Sequence, residues 1–576
     1  MASVWGELKR RNVVKVAVAY AIVGWVLVEI TSTVLPTFEA PQWVLQTITF
    51  VIILGFPLAL ILSWAYEITP EGIKLESEVA AGESITHVTG RKFDFAIIGA
   101  LVLALGFVVY NFVLKDGEME AGVLPNSVAV LPFDNLSVDP EDAFFAAGIH
   151  DEILNQLAKI SALNVIARTT MLRYAETDKT IPEIADELNV ETVMEGSVRY
   201  AGSRVRITAQ LIDPATGAHL WSNTYEREFD DIFAIESDIA MNIANALEAE
   251  FSVAEQQAIE KRPTDSAEAY AFYLRALAEI EDQDVWEFSL DQAIAADPDF
   301  ALPYAERALN YAFYLSGTVD DWEQIVRENA ERALAIDPTL GAAHAAMAVL
   351  LQSTWHRAEA EEAFERAYQA NPSDPAVLTY YGRFLRTEGD YEEAIRLLER
   401  AVDLQPDWAT NIQLGIAYKY ARDYDASAVV FRRAVEFVPT SVAAHVHLAD
   451  AEIGRGNNDE ALRQLQIAEQ LEIPIPYRLG QMMLGYSRLG LQGDVARLFS
   501  QLEERASEEV VGDATWAMGH LAMGDNEQAL ELFEIAADKL YAIDTFALMA
   551  LKANVWAFPL LEEPRFQALR DKIANL

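Results

Sequence analysis

The chain has 576 residues, a formal net charge of −46 and no cysteine, which excludes disulfides, thiolate metal sites and catalysis by a cysteine nucleophile. Since a single hydrophobic core rarely grows beyond about 250–300 residues, several folding units are expected. Residues 1–120 carry a net charge of −4 and the remaining residues carry −42. So acidic a surface repels phosphate backbones, and a nucleic-acid partner is therefore not expected.

Apolar stretches dominate the first 115 residues. Those at about 16–35, 43–66 and 95–114 each come close to the roughly 20 residues that a helix needs to cross a bilayer. Aromatic residues such as Trp43 and Trp64 lie near the ends of these stretches, as is typical at membrane interfaces. We predict that residues 1–115 form a membrane anchor with three transmembrane helices, followed by an acidic linker at 116–126.

The basic residues in the short loops predict the orientation of this anchor. Four of them precede the first span, none lies between the first two spans, and Lys74, Arg91 and Lys92 lie between the second and third. Because basic loops stay in the cytoplasm, the amino terminus is expected inside and the chain after about residue 115 on the opposite side. Glu29 lies inside the first span, near its outer end, where a snorkelling or locally paired carboxylate is favoured over a functional intramembrane acid.

Residues 127–255 have the mixed periodicity of a small α/β domain. In the strand at 205–212, apolar residues alternate with polar ones, so one face of the strand is expected to be buried. The predicted elements are strands at 127–131 and 164–168, helices at 141–160 and 182–188, three further strands at 193–200, 205–212 and 218–227, and a long helix at 231–251. The last three strands are close enough in sequence to form an antiparallel meander.

Between residues 341 and 473 the sequence repeats itself every 33 or 34 residues. Successive segments end at Pro372, Pro406 and Pro439. Small residues, Gly382 and Gly415, recur where two helices must approach closely, and large ones, Leu398 and Phe431, lie where a second helix would cover them. This period is typical of stacked helical hairpins.

The repeat array is predicted to extend over residues 264–576 as an all-α solenoid of about eight hairpins, with a cap at 555–576. A single hairpin of this length cannot bury its apolar face alone, so neighbouring copies share a core and leave a long curved surface. Surfaces of that kind bind other protein chains. The predicted fold class is therefore multi-domain: transmembrane helices, then an α/β domain, then a solenoid.

Several of these segments resemble a known arrangement of bacterial envelope proteins. The resemblance is to the TolB-like amino-terminal domain, to a related membrane module and to tetratricopeptide (TPR) repeats. It implies a proteobacterial inner-membrane protein whose domains after the anchor are periplasmic. The segments that carry the resemblance are SVAVLPFDNLS at 127–137, FAAGI at 145–149, VIART at 165–169, EGSVR at 195–199, RITAQLID at 206–213, and in the leader ELKRRNV at 7–13, GFP at 55–57 and WAYEITPEG at 64–72.

Some members of that family carry a cytoplasmic adenylate cyclase or a winged-helix DNA-binding domain in front of the anchor. Here only about a dozen residues precede the first predicted span, fewer than either domain needs. The resemblance then implies that any cytoplasmic output belongs to a separate protein.

Residues with catalytic or metal-binding chemistry are scattered along the chain. The one close histidine pair, His445 and His447, is spaced i and i+2 on a predicted helix, so the two rings point apart. No phosphate-binding loop, Gly-x-Ser-x-Gly elbow or His-Glu-x-x-His motif occurs. Asp134, Asn135 and Asp139 fit turn capping better than an oxygen-ligand metal site. We therefore predict no catalytic residue, no metal, no cofactor and no enzymatic activity.

Three cations are candidates for binding a partner. The resemblance implies that the first helix of each hairpin lines a groove, and in that register Arg383 and Arg386 lie on the groove face one helical turn apart. Lys419 follows Arg386 by 33 residues and occupies the matching place in the next hairpin. Two alternatives are open: these cations bind a carboxylate or acidic peptide of a partner, or they pair with neighbouring Asp and Glu residues.

Two functions are compatible with this organisation. The first is an inner-membrane-anchored periplasmic scaffold or receptor that binds a protein partner, in the periplasm or the membrane, through its repeats and without catalysis. The alternative is a transmembrane signal transducer that couples sensing of a periplasmic ligand or partner to a separate cytoplasmic effector.

The predicted orientation can be tested with reporter fusions. Alkaline phosphatase, which folds only outside the cytoplasm, should be active when fused to the carboxyl terminus and inactive when fused within the basic loop after the second span. A carboxyl-terminal fusion that is active only as a cytosolic reporter would contradict the predicted anchor.

Overall fold

The computed structural model describes residues 123–539, apart from short gaps at 139–142, 176, 202–203, 281, 314–320 and 474, together with 66–69, 72–75, 562–574 and a few single positions. The chain forms two compact units, Met1–Ala121 and Gly122–Leu576. In the first unit, strand β1 (Tyr66–Thr69) pairs antiparallel with β2 (Gly72–Leu75).

The predicted transmembrane spans lie almost entirely outside the described residues. Tyr66, at the approximate end of the second predicted span, pairs with Leu75 as part of a strand. Among the helices that the structure describes, none combines the length and the apolar character needed to cross a bilayer.

The second unit begins with a mixed β-sheet. Its strands are β3 (Leu124–Val130), β4 (Asp134–Asn135), β5 (Asn164–Val165), β6 (Val190–Ala201), β7 (Arg204–Ile212) and β8 (His219–Glu228). The strand order is β5-β3-β6-β7-β8, with β4 paired to β6. Strand β3 runs parallel to β5 and β6, whereas β6, β7 and β8 form the predicted antiparallel meander. In β7, Val205, Ile207, Ala209 and Leu211 are fully buried, as their alternation predicts.

Helices cover both faces of this sheet. They are α1 (Ala143–Ala158), α2 (Arg168–Met171), α3 (Ile181–Leu188), α4 (Ile232–Ala246) and α5 (Val253–Glu260). The core shared by α1, α4 and the meander lies on one face, and a smaller core under α2 and α3 lies on the other.

Two predicted elements have different boundaries in the structure. The strand predicted at 164–168 ends at Val165, because the Ala167 N–H donates instead to the carbonyl of Leu404, at 2.9 Å, and a helical turn begins at Arg168. The helix predicted at 231–251 ends at Ala246, since Glu248 adopts a positive φ of 54° that no helix continues. The chain then starts the separate helix α5 behind a capping box formed by Ser252 and Glu255.

Eight helical hairpins follow one another within the described part of residues 267–539, and together they form the solenoid. Their first helices are α6 (Ala267–Ala278), α8 (Ala301–Phe313), α10 (Gly341–Ser353), α12 (Pro375–Glu388), α14 (Trp408–Tyr420), α16 (Val442–Arg455), α18 (Pro476–Arg488) and α20 (Asp513–Met523). Their second helices are α7 (Gln283–Ala296), α9 (Trp322–Ile336), α11 (Arg357–Ala370), α13 (Tyr391–Leu404), α15 (Tyr424–Phe437), α17 (Asn458–Gln470), α19 (Gln492–Arg505) and α21 (Asn526–Lys539). Helix α22 (Pro564–Ala574) contacts α21 and follows the last hairpin.

The repeat sets both the helix ends and the packing within each hairpin. Asp390 and Asp423, at equivalent positions of successive hairpins, each accept a backbone N–H in the first turn of the second helix. A Cβ on Gly382 would lie 2.7 Å from Cγ of Leu398, and a Cβ on Gly415 would lie 2.5 Å from Cε1 of Phe431. The glycines therefore allow the two helices to approach closely, which confirms the predicted pairing of small and large residues.

The α/β domain and the first hairpin share one hydrophobic core. At its centre the hydroxyl of Tyr270 on α6 donates to both carboxylate oxygens of Glu236 on α4, at 2.9 and 3.0 Å. Burial raises the pKa of Glu236 well above its ordinary value, and the neighbouring carboxylate of Glu152 raises it further. Farther along, the Ser373 hydroxyl donates to the Leu163 carbonyl at 2.6 Å, so the domain also contacts later hairpins.

The glycine contact predicts a matched pair of variants. Gly415→Ala should lower the free energy of unfolding by about 1–3 kcal/mol, because the ring of Phe431 has to shift. Gly493 lies at an exposed position of helix α19, and a Cβ added there would have no atom within 4 Å. Gly493→Ala should therefore be neutral or stabilising by up to about 1 kcal/mol. Thermal denaturation of both variants measures the difference, and equal stability would contradict the proposed packing constraint.

The buried carboxylate predicts a pH dependence. Because the pKa of Glu236 is higher in the folded than in the unfolded chain, its contribution to stability is complete below the ordinary pKa and is lost as the pH rises. Glu236→Gln should therefore reduce the fall in melting temperature between about pH 5 and about pH 8. Glu260→Gln, at an exposed position on α5, is the control and should leave that fall unchanged.

Candidate partner-binding groove

The first helices of the fourth to seventh hairpins, α12, α14, α16 and α18, carry a linked set of charged side chains. We call this surface the groove and define it by Arg386, Lys419, Asp450, Arg478 and Arg488. Side chains on each of these helices reach those on the next ones along the array. All three cations predicted from the sequence lie on α12 and α14.

Arg386 is buried, with 8% of its surface exposed. Its Nη1 donates to the carbonyl and to Oε1 of Gln413, at 3.3 and 3.1 Å, and its guanidinium lies 5.3 Å from the ring centre of Tyr420. No carboxylate among the described residues forms an ion pair with it, and its buried Nε has no acceptor there. Burial lowers the pKa of Arg386 to about 10, which still leaves it charged at neutral pH.

Arg383 lies one turn earlier on α12. Its guanidinium is 4.8 Å from the ring centre of Tyr380, an arrangement typical of a cation–π contact. The hydroxyl of Tyr380 donates to the carbonyl of Phe313 at 2.9 Å, which holds this ring against the second hairpin. Arg383 is thus held on a tyrosine of its own helix.

Lys419 is buried and its Nζ donates to Oδ2 of Asp450 at 2.8 Å. The other carboxylate oxygen of Asp450 accepts from Nη1 of Arg488, so one carboxylate joins α14, α16 and α18. Burial alone would raise the pKa of Asp450, but Lys419 and Arg488 outweigh it and lower this pKa. For Lys419, pairing within the chain is therefore the alternative that the structure adopts.

Three residues at the groove were not predicted as partner-binding residues from the sequence: His447, which was considered only as a metal ligand, Arg478 and Arg488. The His447 ring stacks on Phe431, with ring centres 5.4 Å apart, and its Nε2 lies 3.4 Å from Nη1 of Arg478. Burial, followed by the cations Lys419, Arg478 and Arg386, lowers the pKa of His447 well below its ordinary value, so the ring is neutral. The 34-residue offset from Gln413 to His447 is a repeat signal that could have identified this position.

Arg478 completes the set on α18. Its Nη1 donates to Oε1 of Gln481 at 2.6 Å and its guanidinium lies 5.7 Å from the ring centre of Tyr477. Within the described part of the chain it forms no ion pair with a carboxylate, as is true of Arg386. Burial lowers the pKa of Arg478.

A small pocket of about 20 Å³ opens between these helices, large enough for about one water molecule. It is lined by Lys419, Val446, His447, Asp450, Leu465, Gln481, Leu484, Gly485 and Arg488. The histidine pair considered as metal ligands lies on α16. His445 points away from His447, towards the Pro439 carbonyl and Gln464, and no group of three possible ligands is arranged for a metal among the residues described.

Known proteins are similar to parts of this chain. Over 219 residues it is 36% identical to a protein of Rhizobium meliloti (strain 1021) named "Putative adenylate cyclase 3", covering 36% of each. Over 73 residues it is 41% identical to the type IV pilus assembly protein PilF of Pseudomonas aeruginosa, covering 12% of this chain and 29% of PilF. The chain thus spans about a third of the length of these curated relatives.

Solved structures also align with parts of the chain. PilW, a type IV pilus biogenesis factor, aligns at 18% identity with a TM-score of 0.32, over 36% of this chain and 94% of PilW. YrrB, described as a TPR protein with an unusual peptide-binding site, aligns at 22% identity with a TM-score of 0.27, over 31% of this chain and 91% of YrrB.

Two tetratricopeptide-repeat family models match adjacent segments of this chain, residues 356–416 and 412–471. These segments contain α12, α14 and α16 and therefore most of the groove. The matches agree with the repeat period and with the helical hairpins. Residues 356–471 are tetratricopeptide repeats.

Proposed function

We propose that this chain is a non-catalytic scaffold or receptor that binds a protein partner in its groove. The observation that carries the proposal is the pair of arginines, Arg386 and Arg478, whose side chains donate only to neutral groups and form no ion pair among the described residues. A buried charge without a counter-charge is costly, so these residues gain stability when a partner supplies one. Tetratricopeptide repeats, which present such surfaces to other chains, support the same function.

The location belongs to the same proposal. Residues 1–115 would anchor the chain in a bacterial inner membrane, with the amino terminus in the cytoplasm and the α/β domain and solenoid in the periplasm. The apolar stretches, the placement of basic loops and the resemblance to TolB-like envelope proteins support it. The partner would then be a periplasmic or membrane protein.

The second candidate is the signal transducer. The common core of the α/β domain and the first hairpin favours it, because a change at the repeats then acts on the domain that follows the predicted anchor. The relative named as a putative adenylate cyclase is compatible with this role. A transducer should retain a cytoplasmic partner when residues 124–576 are removed, whereas a scaffold should lose its partners.

Charge reversal in the groove tests the scaffold function. The combined variant Arg383→Glu, Arg386→Glu and Lys419→Glu should lose at least one partner that the wild-type chain captures after chemical cross-linking, because like charges then repel an acidic ligand. The matched control reverses three exposed arginines on second helices, Arg366, Arg396 and Arg463, and should retain that partner.

Thermal denaturation is measured alongside, since Arg386 is buried and its reversal affects folding as well as binding. A groove variant that melts like the control yet captures the same partners would remove the groove from the proposal.

A further inference from the structure

Side chains from four successive hairpins are linked in the groove. Arg386 on α12 donates to Gln413 on α14, and Lys419 on α14 donates to Asp450 on α16. On α18, Arg488 donates to Asp450 and Arg478 donates to His447 of α16. These contacts place polar side chains of all four first helices on one continuous surface.

Two guanidiniums on this surface have donors without protein acceptors among the residues described. Arg386 uses only Nη1, for Gln413, and Arg478 uses only Nη1, for Gln481 and His447. The Nε2 of His447 accepts from Arg478, and its buried Nδ1 has no described partner. A neutral ring beside Arg478 adds no further charge to the surface.

The neighbouring cations are arranged differently. Lys419 and Arg488 face the same pocket as His447, but Asp450 pairs with both of them. Asp450 thus gives Lys419 and Arg488 a carboxylate partner, which Arg386 and Arg478 do not have among the described residues. The remaining N–H donors of Arg386 and Arg478 are therefore available to carboxylates of a ligand.

We propose that the groove binds an acidic peptide segment, with two or more Asp or Glu side chains, at a centre formed by Arg386 and Arg478, and that Asp450 competes with this segment for Lys419 and Arg488. The proposal deepens the scaffold function and rests on it. Arg386 and Arg478 contact the ligand, Tyr420 and Tyr477 orient the two guanidiniums by cation–π contacts, and His447 is a positioning residue.

The overall charge of the chain makes this site selective. At −46 the protein repels acidic peptides in general, so an acidic segment should bind only where local cations outweigh that repulsion. Carboxylates of a segment, rather than a single terminal carboxylate, fit the arrangement because donors are available on two residues from different hairpins.

The test is a fluorescence anisotropy titration of the purified full-length chain with a labelled, amidated decapeptide that alternates Glu and Ser. The same peptide with Gln in place of Glu should bind at least about 10-fold more weakly, since charge-assisted hydrogen bonds are lost. A Gln peptide with a free terminal carboxylate separates the two sources of carboxylate. If it binds as tightly as the Glu peptide, the assignment to acidic side chains is overturned.

Three variants locate the site. Arg386→Gln and Arg478→Gln should each weaken binding of the Glu peptide about 10-fold or more, whereas Arg366→Gln on the exposed face of α11 should change it less than about 2-fold. Asp450→Asn should tighten binding several-fold, because it releases Lys419 and Arg488. A gain in affinity cannot arise from misfolding, so this variant stays informative if the arginine variants are unstable.

The outcomes separate this inference from the scaffold function. Equal binding of the Glu and Gln peptides, or no tightening in Asp450→Asn, overturns the acidic-segment site, while groove-dependent capture of a partner would still support a scaffold. Conversely, binding of the Glu peptide as expected, without any partner lost from the groove variant, would count against the scaffold alone.

Discussion

The close contact between a glycine on the first helix and a large apolar side chain on the second is the constraint on which the solenoid depends. At Gly382 and Gly415 there is no space for a Cβ, because Leu398 and Phe431 fill it. These two hairpins therefore have closely spaced helices, and hairpins of similar shape can stack regularly. Regular stacking places the first helices from α12 to α18 in succession, so that polar side chains of each reach the next.

The groove differs from the rest of the described chain in how its arginines are paired. Most of the protein is strongly acidic, and exposed arginines on its second helices pair with neighbouring carboxylates. In the groove, Arg386 and Arg478 are desolvated against tyrosine rings and amide oxygens instead. Desolvation without a counter-charge is costly in the isolated chain, and the same cost becomes binding free energy when an anion enters.

Different hairpins of the solenoid make different contacts. The first hairpin completes the core of the α/β domain, where Tyr270 and Glu236 form a hydrogen bond sealed from solvent. Contacts from Leu163 and Ala167 extend this attachment to Ser373 and Leu404. The later first helices, from α12 to α18, carry the groove. The domain is thus attached both to the first hairpin and to the fourth, which carries the groove helix α12.

The sequence by itself determined the elements whose signals are local or periodic. A repeat of 33 or 34 residues fixed the hairpins, and alternation in β7 fixed the face of the meander that is buried, since both depend on spacing along one segment. The position of Lys419 relative to Arg386 also followed from the period. Boundaries set by contacts between distant segments did not follow: the strand at 164–168 was cut short by a hydrogen bond to Leu404.

Only the tertiary structure decided which cations have counter-charges. Lys419 and Arg386 occupy equivalent places in successive hairpins, yet Asp450 pairs with Lys419, whereas Arg386 contacts only amide oxygens and a tyrosine ring among the described residues. His447 and Arg478, on the sixth and seventh hairpins, contact each other. Ion pairing depends on distances between side chains of different hairpins, and the stacking of the hairpins sets those distances, so no pattern within one repeat specifies them.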